Sequence, residues 1–227
     1  KFRRMSYPEG SRGAGSVSAT VSATVDMCIF CFDSILDYYG EIPVGRMLEP
    51  PRSVLDNDHQ CPLFVTWDIQ TRRGYDLRGC IGCLSPIPLL RVGEYAITSS
   101  MKDRRFQPIA LAEIPCLRCC VSLLTAYEQG GGWDDWEVGK HGIIIDFFGE
   151  GGGNSVKFNA TYLPHVAPEQ RWDQRQAVKS LVKKSGYRGV VTDSLLSRIQ
   201  LTRYQSSKAY CTYEQYLEFT QRSAAGQ

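Results

Sequence analysis

The sequence has 227 residues, of which 43% are hydrophobic and 22% charged, and its formal net charge is +2 at pH 7. A chain of this length and composition is typical of a globular protein that buries a core without disulfides or metals. The near-neutral charge argues against nucleic acid or an acidic membrane as the principal partner, and no apolar run approaches the ~20 residues of a membrane helix.

The chain begins with a tail followed by a helix. Residues 1–17 are rich in Gly, Ser and Arg without an apolar period, which predicts a disordered basic tail, either simply solvated or binding nucleic acid. A helix is predicted over residues 18–39, because apolar side chains recur there at spacings of three and four and Gly40 follows. The predicted apolar stripe consists of Val21, Val25, Cys28, Phe32 and Ile35. Residues 46–61 are predicted to form a polar connection.

Strand patterns come next. Residues 63–69 and 75–84 are rich in β-branched and aromatic side chains and predict two strands joined by a turn. Two prolines then precede a helix predicted over residues 89–101. A third strand is predicted over residues 117–124.

A hairpin is predicted in the second half of the chain. Residues 142–148 alternate between apolar and polar or small side chains, and residues 155–162 are expected to pair with them across the glycine-rich loop 149–153. The apolar face of the first strand is predicted to carry Ile143, Ile145 and Phe147.

Two helices and a strand complete the pattern. Asp173 and Gln176 fit a capping box, which predicts a helix that starts there and runs to Lys184. A short helix is expected to end at Ile199, and an extended stretch is predicted over residues 200–204.

The order of these elements predicts the fold class. Strands and helices occur in clusters instead of strict alternation, which favours an α+β fold with mixed or antiparallel sheets over a doubly wound sheet. The order of elements in the first half resembles that in the second, so two related strand–helix halves are predicted. One domain of two lobes is expected over residues 18–219, followed by a flexible tail, residues 220–227.

Nine cysteines raise the question of a metal site. Three pairs have CxxC spacing, namely Cys28/Cys31, Cys80/Cys83 and Cys116/Cys119. Paired cysteines of this kind are typical of structural zinc sites. However, strand residues three apart face opposite sides, and Cys28 lies within the apolar stripe of its helix. We therefore predict no metal site and no cofactor.

The same cysteines indicate the cellular compartment. An odd count without the spacing of a small disulfide scaffold favours free thiols in a reducing compartment. We therefore expect an intracellular protein, cytoplasmic or nuclear or both. The triplet Asn159-Ala160-Thr161 fits a glycosylation acceptor, but such triplets arise by chance and this one lies inside a predicted strand.

The segment Leu77–Gly82 combines a thiol, a cation and two glycines. Strand alternation places Arg78 and Cys80 on one face, where a cation favours the reactive thiolate. Gly79 and Gly82 leave room for another backbone or a ligand. The alternative is structural: Arg78 closes an internal salt bridge beside a buried Cys80, and the glycines ease strand packing.

Six segments in this order resemble one known family. They are Leu77–Gly82 (LRGCIG), Lys102–Phe106 (KDRRF), Val121–Thr125 (VSLLT), Trp136–Gly142 (WEVGKHG), Ala160–Pro164 (ATYLP) and Leu201–Tyr204 (LTRY). The chain resembles the AMMECR family, named for Alport syndrome, mental retardation, midface hypoplasia and elliptocytosis, over roughly residues 18–216. Two of the segments look closer to the eukaryotic members.

The resemblance implies a fold and a partner but no reaction. It implies a two-lobed α+β fold with related halves and a cleft near Cys80, which is the only cysteine in the family's hallmark segment. Prokaryotic members are associated with Memo-type proteins and radical S-adenosylmethionine proteins, so a Memo-type protein is the predicted partner.

The predicted site combines residues from separate motifs. The candidate catalytic residues are Cys80 and His141. The candidate substrate-binding residues are Arg78, Gly79, Gly82 and Arg105. Four of these, Arg78, Cys80, Arg105 and His141, are expected to line one cleft between the lobes. Guanidinium groups match carboxylate and phosphate geometry, so a small anionic ligand is predicted. For His141 the alternative is that the imidazole only hydrogen-bonds its own loop.

Three hypotheses about function follow, and the sequence does not decide whether the protein is an enzyme. The first is a cysteine-dependent enzyme or a binder of a small anionic metabolite or nucleotide. The second is a non-catalytic adaptor that presents the same motifs to a protein partner. The third and weakest is a nucleic-acid-associated factor, since the charge is nearly balanced.

Overall fold

The structure is a computed structural model that describes residues 21–43, 48–55, 60–151 and 154–225. The helices are α1 Val25–Tyr38, α2 Arg52–Leu55, α3 Val92–Met101, α4 Val166–Glu169, α5 Gln174–Lys184, α6 Asp193–Leu196 and α7 Tyr213–Ala225. The strands are β1 Gln60–Thr71, β2 Gly74–Pro88, β3 Leu117–Gln129, β4 Gly142–Gly151, β5 Asn154–Tyr162 and β6 Gln200–Thr212. Two 3₁₀ turns cover Leu89–Arg91 and Leu111–Cys116.

The predicted α+β class is confirmed. The strands are hydrogen-bonded in the order β2-β1-β3-β6-β4-β5, and the pairs β1–β2, β1–β3, β4–β5 and β4–β6 are antiparallel. The chain divides into two compact units. Unit 1 comprises Lys1–Leu124 and Ser207–Gln227, and unit 2 comprises Thr125–Ser206.

The core of unit 1 lies between β1 and the helices α1 and α3. Alternate residues of β1 are buried, and the largest of them, Trp67, donates its indole N–H to the carbonyl of Ala96 in α3 at 3.0 Å. Its ring packs edge-on against Phe32 of α1, with ring centroids 5.1 Å apart. Most of the predicted stripe of α1 is buried, but Val25 is 49% exposed because the helix begins there, later than predicted.

The core of unit 2 lies between β4 and α5. The predicted apolar face of β4 is confirmed, with Ile143, Ile145 and Phe147 buried. These side chains form one apolar cluster with Ala177, Val178, Leu181 and Val182 of α5. The predicted capping box at the start of α5 is also confirmed: the carboxylate of Asp173 accepts from the N–H of Gln176 at 2.7 Å, and the side chain of Gln176 accepts from the N–H of Asp173 at 3.0 Å.

The termini of the predicted elements differ from the structure in several places. Strand β2 extends to Pro88, so α3 begins three residues after the predicted helix start, following a 3₁₀ turn. Strand β6 runs to Thr212, well beyond the predicted end. Helix α7 was not predicted, and residues 220–225, which the pattern assigned to a tail, are helical. The predicted basic tail, residues 1–17, lies outside the described residues.

Within the described part of the chain, no helix is both long enough and apolar enough to cross a membrane.

Candidate functional site

A β-bulge in the hallmark segment redirects Arg78. In the pairing of β1 with β2, Trp67 lies opposite Gly79 and Asp68 opposite Leu77, so the register skips Arg78. An extra residue in one strand interrupts the alternation of side chains. Arg78 therefore reaches away from its strand toward the 3₁₀ turn that contains Glu113.

Every nitrogen of the Arg78 guanidinium donates a hydrogen bond that holds this segment. It donates to both carboxylate oxygens of Glu113, with Nε–Oε1 at 2.8 Å and Nη2–Oε2 at 3.0 Å. It also donates to the carbonyls of Gln107 at 2.8 Å and Pro108 at 3.2 Å. This pair lowers the pKa of Glu113. The structural alternative for Arg78, an internal salt bridge, matches these contacts; its predicted role in substrate binding is untested.

The two glycines of the segment are required by close packing. A Cβ on Gly79 would lie 2.3 Å from the carbonyl oxygen of Ser99 in α3, and a Cβ on Gly82 would lie 2.2 Å from the ring of Phe64. Contacts of that length do not occur between non-bonded atoms, so only glycine fits both positions. Whether either glycine contacts a substrate stays a prediction.

Cys80 lies in a row of polar side chains on one face of the sheet. Thr66 of β1 is paired with both Cys80 of β2 and Cys120 of β3, so the three side chains are direct neighbours. The hydroxyl of Thr66 donates to the sulfur of Cys80 at 3.2 Å. Cys80 is half-buried, whereas Cys120 is buried and its pKa is raised by burial.

Asp103 connects Cys80 to Arg105. The carboxylate of Asp103 accepts from the backbone N–H of Cys80 at 2.9 Å and from the Arg105 guanidinium, with Nη2–Oδ2 at 2.6 Å and Nε–Oδ1 at 3.0 Å. The hydrogen bonds from Arg105 are the main cause of a pKa for Asp103 well below its usual range. Arg105 also donates to the carbonyl of Cys80 at 3.2 Å. The cation that contacts Cys80 is therefore Arg105, while the expected neighbour, Arg78, is turned toward Glu113.

Residues 102–106, here called the cationic loop, present three basic side chains to solvent. Lys102, Arg104 and Arg105 are exposed, and the Arg105 guanidinium lies 5.4 Å from the ring centroid of Phe106. Only Arg105 is neutralised locally, by Asp103. Lys102 and Arg104 form no ion pair with any residue that the structure describes. The loop therefore carries a surplus of positive charge beside the hallmark segment.

His141 of unit 2 closes the turn before β4. Its Nδ1 accepts from the backbone N–H of Glu137 at 3.0 Å, and the backbone N–H of His141 donates to the carbonyl of Glu137 at 3.0 Å. Gly139 supplies the left-handed backbone of this turn, with φ of 87°. Burial, followed by the charges of Lys140 and Arg203, lowers the pKa of His141. The imidazole is therefore neutral at pH 7, with its proton on Nε2.

A pocket of about 470 Å³ opens beside His141. It is lined by Glu128, residues 134–137, Lys140, His141, Arg203 and Gln205. Arg203 crosses this pocket wall, with its Nε 2.9 Å from Glu128 Oε2 and its Nη1 2.7 Å from Asp135 Oδ1. Four carboxylates and two permanent cations line the pocket, so its surplus charge is negative.

Tyr204 joins three of the family segments in unit 2. The ring of Tyr204 packs on Gly142, where a Cβ would lie 2.4 Å from the ring. The Tyr204 hydroxyl lies 3.0 Å from the hydroxyl of Thr161 and donates to the carbonyl of Tyr162 at 3.1 Å. The segments WEVGKHG, ATYLP and LTRY thus fix one another in unit 2.

The three CxxC pairs differ in burial and in local structure. Cys116 ends a 3₁₀ turn and is exposed, whereas Cys119 is buried in β3 beside Cys28 and Cys31. Burial raises the pKa of Cys119 well above its ordinary value. Among the residues with described positions, no group of three or more His, Cys, Asp or Glu side chains is arranged to hold a metal ion.

The predicted site residues fall into both units. Arg78, Cys80 and Arg105 lie together in unit 1, and His141 lies in unit 2. The predicted common cleft stays a prediction. Sequence reasoning missed the two carboxylates that organise unit 1, Asp103 and Glu113. Asp103 lies inside the KDRRF segment, and that position was its only signal.

The AMMECR1 family model matches residues 28–209. The chain belongs to the AMMECR1 family. The resemblance seen in the sequence is therefore confirmed, and the match includes the whole hallmark segment and the cationic loop.

Relatives of this AMMECR1-family protein occur in plants, yeasts and archaea. An uncharacterized protein of Arabidopsis thaliana is 43% identical over 201 residues, covering 88% of this chain and 90% of its own length. An uncharacterized protein of Schizosaccharomyces pombe is 41% identical over 195 residues, covering 85% and 94%. The crystal structure of an uncharacterized protein from Pyrococcus horikoshii superposes with a TM-score of 0.56 at 26% identity, covering 81% of this chain and 89% of that one. These names assign no activity.

Proposed function

We propose that this AMMECR1-family protein is a non-catalytic adaptor whose cationic loop docks an acidic surface of a protein partner. One observation carries the proposal: the Arg78 guanidinium and the Cys80 N–H of the hallmark segment already form hydrogen bonds within unit 1. Arg78 is bound to Glu113 and to two carbonyls, and the Cys80 N–H is bound to Asp103. Polar groups that are already hydrogen-bonded within the protein do not bind a substrate, so they favour a structural role in which the segment supports an exposed binding surface.

The charges of the loop favour an acidic partner. Lys102 and Arg104 are exposed and form no ion pair with the described residues, while Arg105 is held in place by Asp103. A fixed guanidinium loses less conformational entropy when it binds a carboxylate than a free one does. A Memo-type protein, implied by the family resemblance, is the predicted partner.

Two charge reversals test the proposal. We expect the double variant Lys102→Glu/Arg104→Glu to weaken binding of a purified Memo-type protein and of a glutamate-rich peptide at least about tenfold, because attraction becomes repulsion. The matched control is Arg72→Glu, an exposed arginine in the turn between β1 and β2, which should change affinity less than about twofold. Calorimetric titration at low and high salt gives both affinities. Equal binding by the wild type and the double variant would contradict the proposal.

A small anionic ligand would use the same loop. Inorganic phosphate therefore serves as a second probe in the same titrations. If phosphate binds at the loop and neither protein nor peptide does, the prediction of an anionic metabolite replaces the adaptor.

A second candidate function is favoured by the contact between Thr66 and Cys80. The sulfur of Cys80 accepts a hydrogen bond from the Thr66 hydroxyl at 3.2 Å, and this contact fixes the orientation of the thiol. A cysteine-dependent enzyme would use this group. Mass spectrometry of small molecules retained by the intact protein but absent from Cys80→Ala tests this candidate.

A further inference from the structure

The pocket in unit 2 carries charge of the same sign as the anionic ligand predicted for a site with His141. Glu128 and Asp135 share a single cation, Arg203, and Glu137 is paired with Lys140 at 3.2 Å. The exposed Asp134 carboxylate has no hydrogen bond or ion pair with the described residues. An anion would therefore meet a surplus of negative charge, whereas an organic cation would neutralise it.

His141 supplies a hydrogen-bond donor in the wall of the pocket. The residue is only 8% exposed, and its Nδ1 accepts from the backbone N–H of Glu137. Its other nitrogen, Nε2, carries the proton and has no partner among the residues placed by the structure. The indole N–H of Trp136, another residue of the wall, is buried and has no hydrogen-bond partner among the described residues. The unpaired Nε2–H of His141 therefore favours an occupant that carries an acceptor.

The donor and the carboxylates together define a class of ligand. An ammonium or guanidinium group satisfies the acidic rim, and a carbonyl oxygen accepts from Nε2 of His141. A basic peptide carries both groups a short distance apart. We propose that this pocket binds a basic side chain of a peptide, with Asp134 contacting the cation and His141 contacting a peptide carbonyl.

Two variants separate these contacts. Asp134→Asn removes one charge at an exposed, unpaired position, so folding is not at risk. His141→Asn keeps an oxygen that can accept from the N–H of Glu137 but removes the donor Nε2. The control is Glu169→Gln, which removes a charge from an exposed position of unit 2 outside the pocket. Binding is measured on the full chain by calorimetric titration with two probes, a capped lysine-containing tripeptide and spermidine, which has amines but no carbonyl.

The expected pattern differs for each variant. Asp134→Asn should lower the affinity for both probes about three- to fivefold, as for the loss of an exposed ion pair. His141→Asn should lower the affinity for the tripeptide about three- to tenfold and leave the affinity for spermidine unchanged. Glu169→Gln should change the affinity for neither probe. Binding of spermidine alone, equal affinities for wild type and both variants, or no binding up to ~10 mM would each overturn the proposal. Because no residue of the cationic loop takes part, the outcome is independent of the adaptor test.

Discussion

The carboxylate of Asp103 holds the backbone N–H of Cys80 at 2.9 Å, across 23 residues of sequence. Through the same side chain it holds Arg105, so the hallmark segment and the cationic loop are joined by one group. The side chain of Asp103 is 8% exposed, and a carboxylate is stable in such a place only while its partners remain. The position of Cys80 therefore depends on Asp103.

Asp103→Asn should destabilise the protein. The change keeps the shape of the side chain but removes the charge that binds Arg105, and charge-assisted hydrogen bonds of this kind contribute about 1.5–3 kcal/mol. We expect a loss near the lower end, about 1–2 kcal/mol, because Arg105 is half-exposed and screened by solvent. Urea unfolding measures the loss. A value below about 0.5 kcal/mol, the range of surface substitutions, would contradict this role.

Gly79→Ala should also destabilise the protein. The added Cβ would lie 2.3 Å from the backbone oxygen of Ser99, so α3 must shift, and overpacking of this kind costs about 1–3 kcal/mol. The control is Gly131→Ala, where the nearest atom would be 3.6 Å away, an ordinary contact. Thermal unfolding of both variants provides the comparison. Equal melting temperatures would show that the packing of Gly79 on α3 is not required.

The sequence predicted local features better than distant contacts. The capping box of Asp173 and the buried face of β4 were predicted because their causes lie within a few residues. Helix α7 was missed although it has the same kind of signal, since Gln215 and Thr212 form a capping box before it.

The contacts of the candidate site could not be read from a local pattern. Arg78 was placed beside Cys80 by strand alternation, and the bulge that redirects it depends on the register with β1. Its partner Glu113 lies 35 residues away. The acidic character of the His141 pocket was likewise hidden, because Glu128 and Arg203 come from other strands. Pairing and charge balance of this kind are decided by tertiary structure.

His141 should make stability depend on pH. Its pKa is lower in the folded protein than in the unfolded chain, so the unfolded chain binds more protons at mildly acidic pH. The contribution of His141 to the free energy of unfolding is fully present above the unfolded pKa of about 6.5, and it is lost as the pH falls below that value. We expect His141→Asn to show a smaller loss of stability than the wild type between about pH 7.5 and about pH 5. Urea unfolding across this range measures both proteins, and parallel curves would contradict the assignment.

Cys80 should react with iodoacetamide faster than Cys61 or Cys211. Burial raises the pKa of Cys61 to about 11 and that of Cys211 to about 12, so few thiolates form at either position near neutral pH. Cys80 is half-buried, so this residue is more accessible than Cys61 or Cys211, and its sulfur accepts a hydrogen bond from the hydroxyl of Thr66.

The mechanism behind this difference can be tested with Thr66→Val. The variant keeps a β-branched side chain in β1 but removes the hydroxyl, so labelling of Cys80 should slow severalfold. Cys116, which is exposed and has no contact with Thr66 among the hydrogen bonds of the described residues, provides an internal control whose rate should not change. Peptide mapping by mass spectrometry at several pH values gives the rate for each cysteine.

If Cys80 labels no faster than Cys61 and Cys211, it has no special reactivity, and the cysteine-dependent candidate loses its support. If Cys80 labels fast but Thr66→Val has no effect, exposure alone explains the rate, because the hydroxyl is the contact that separates the two causes.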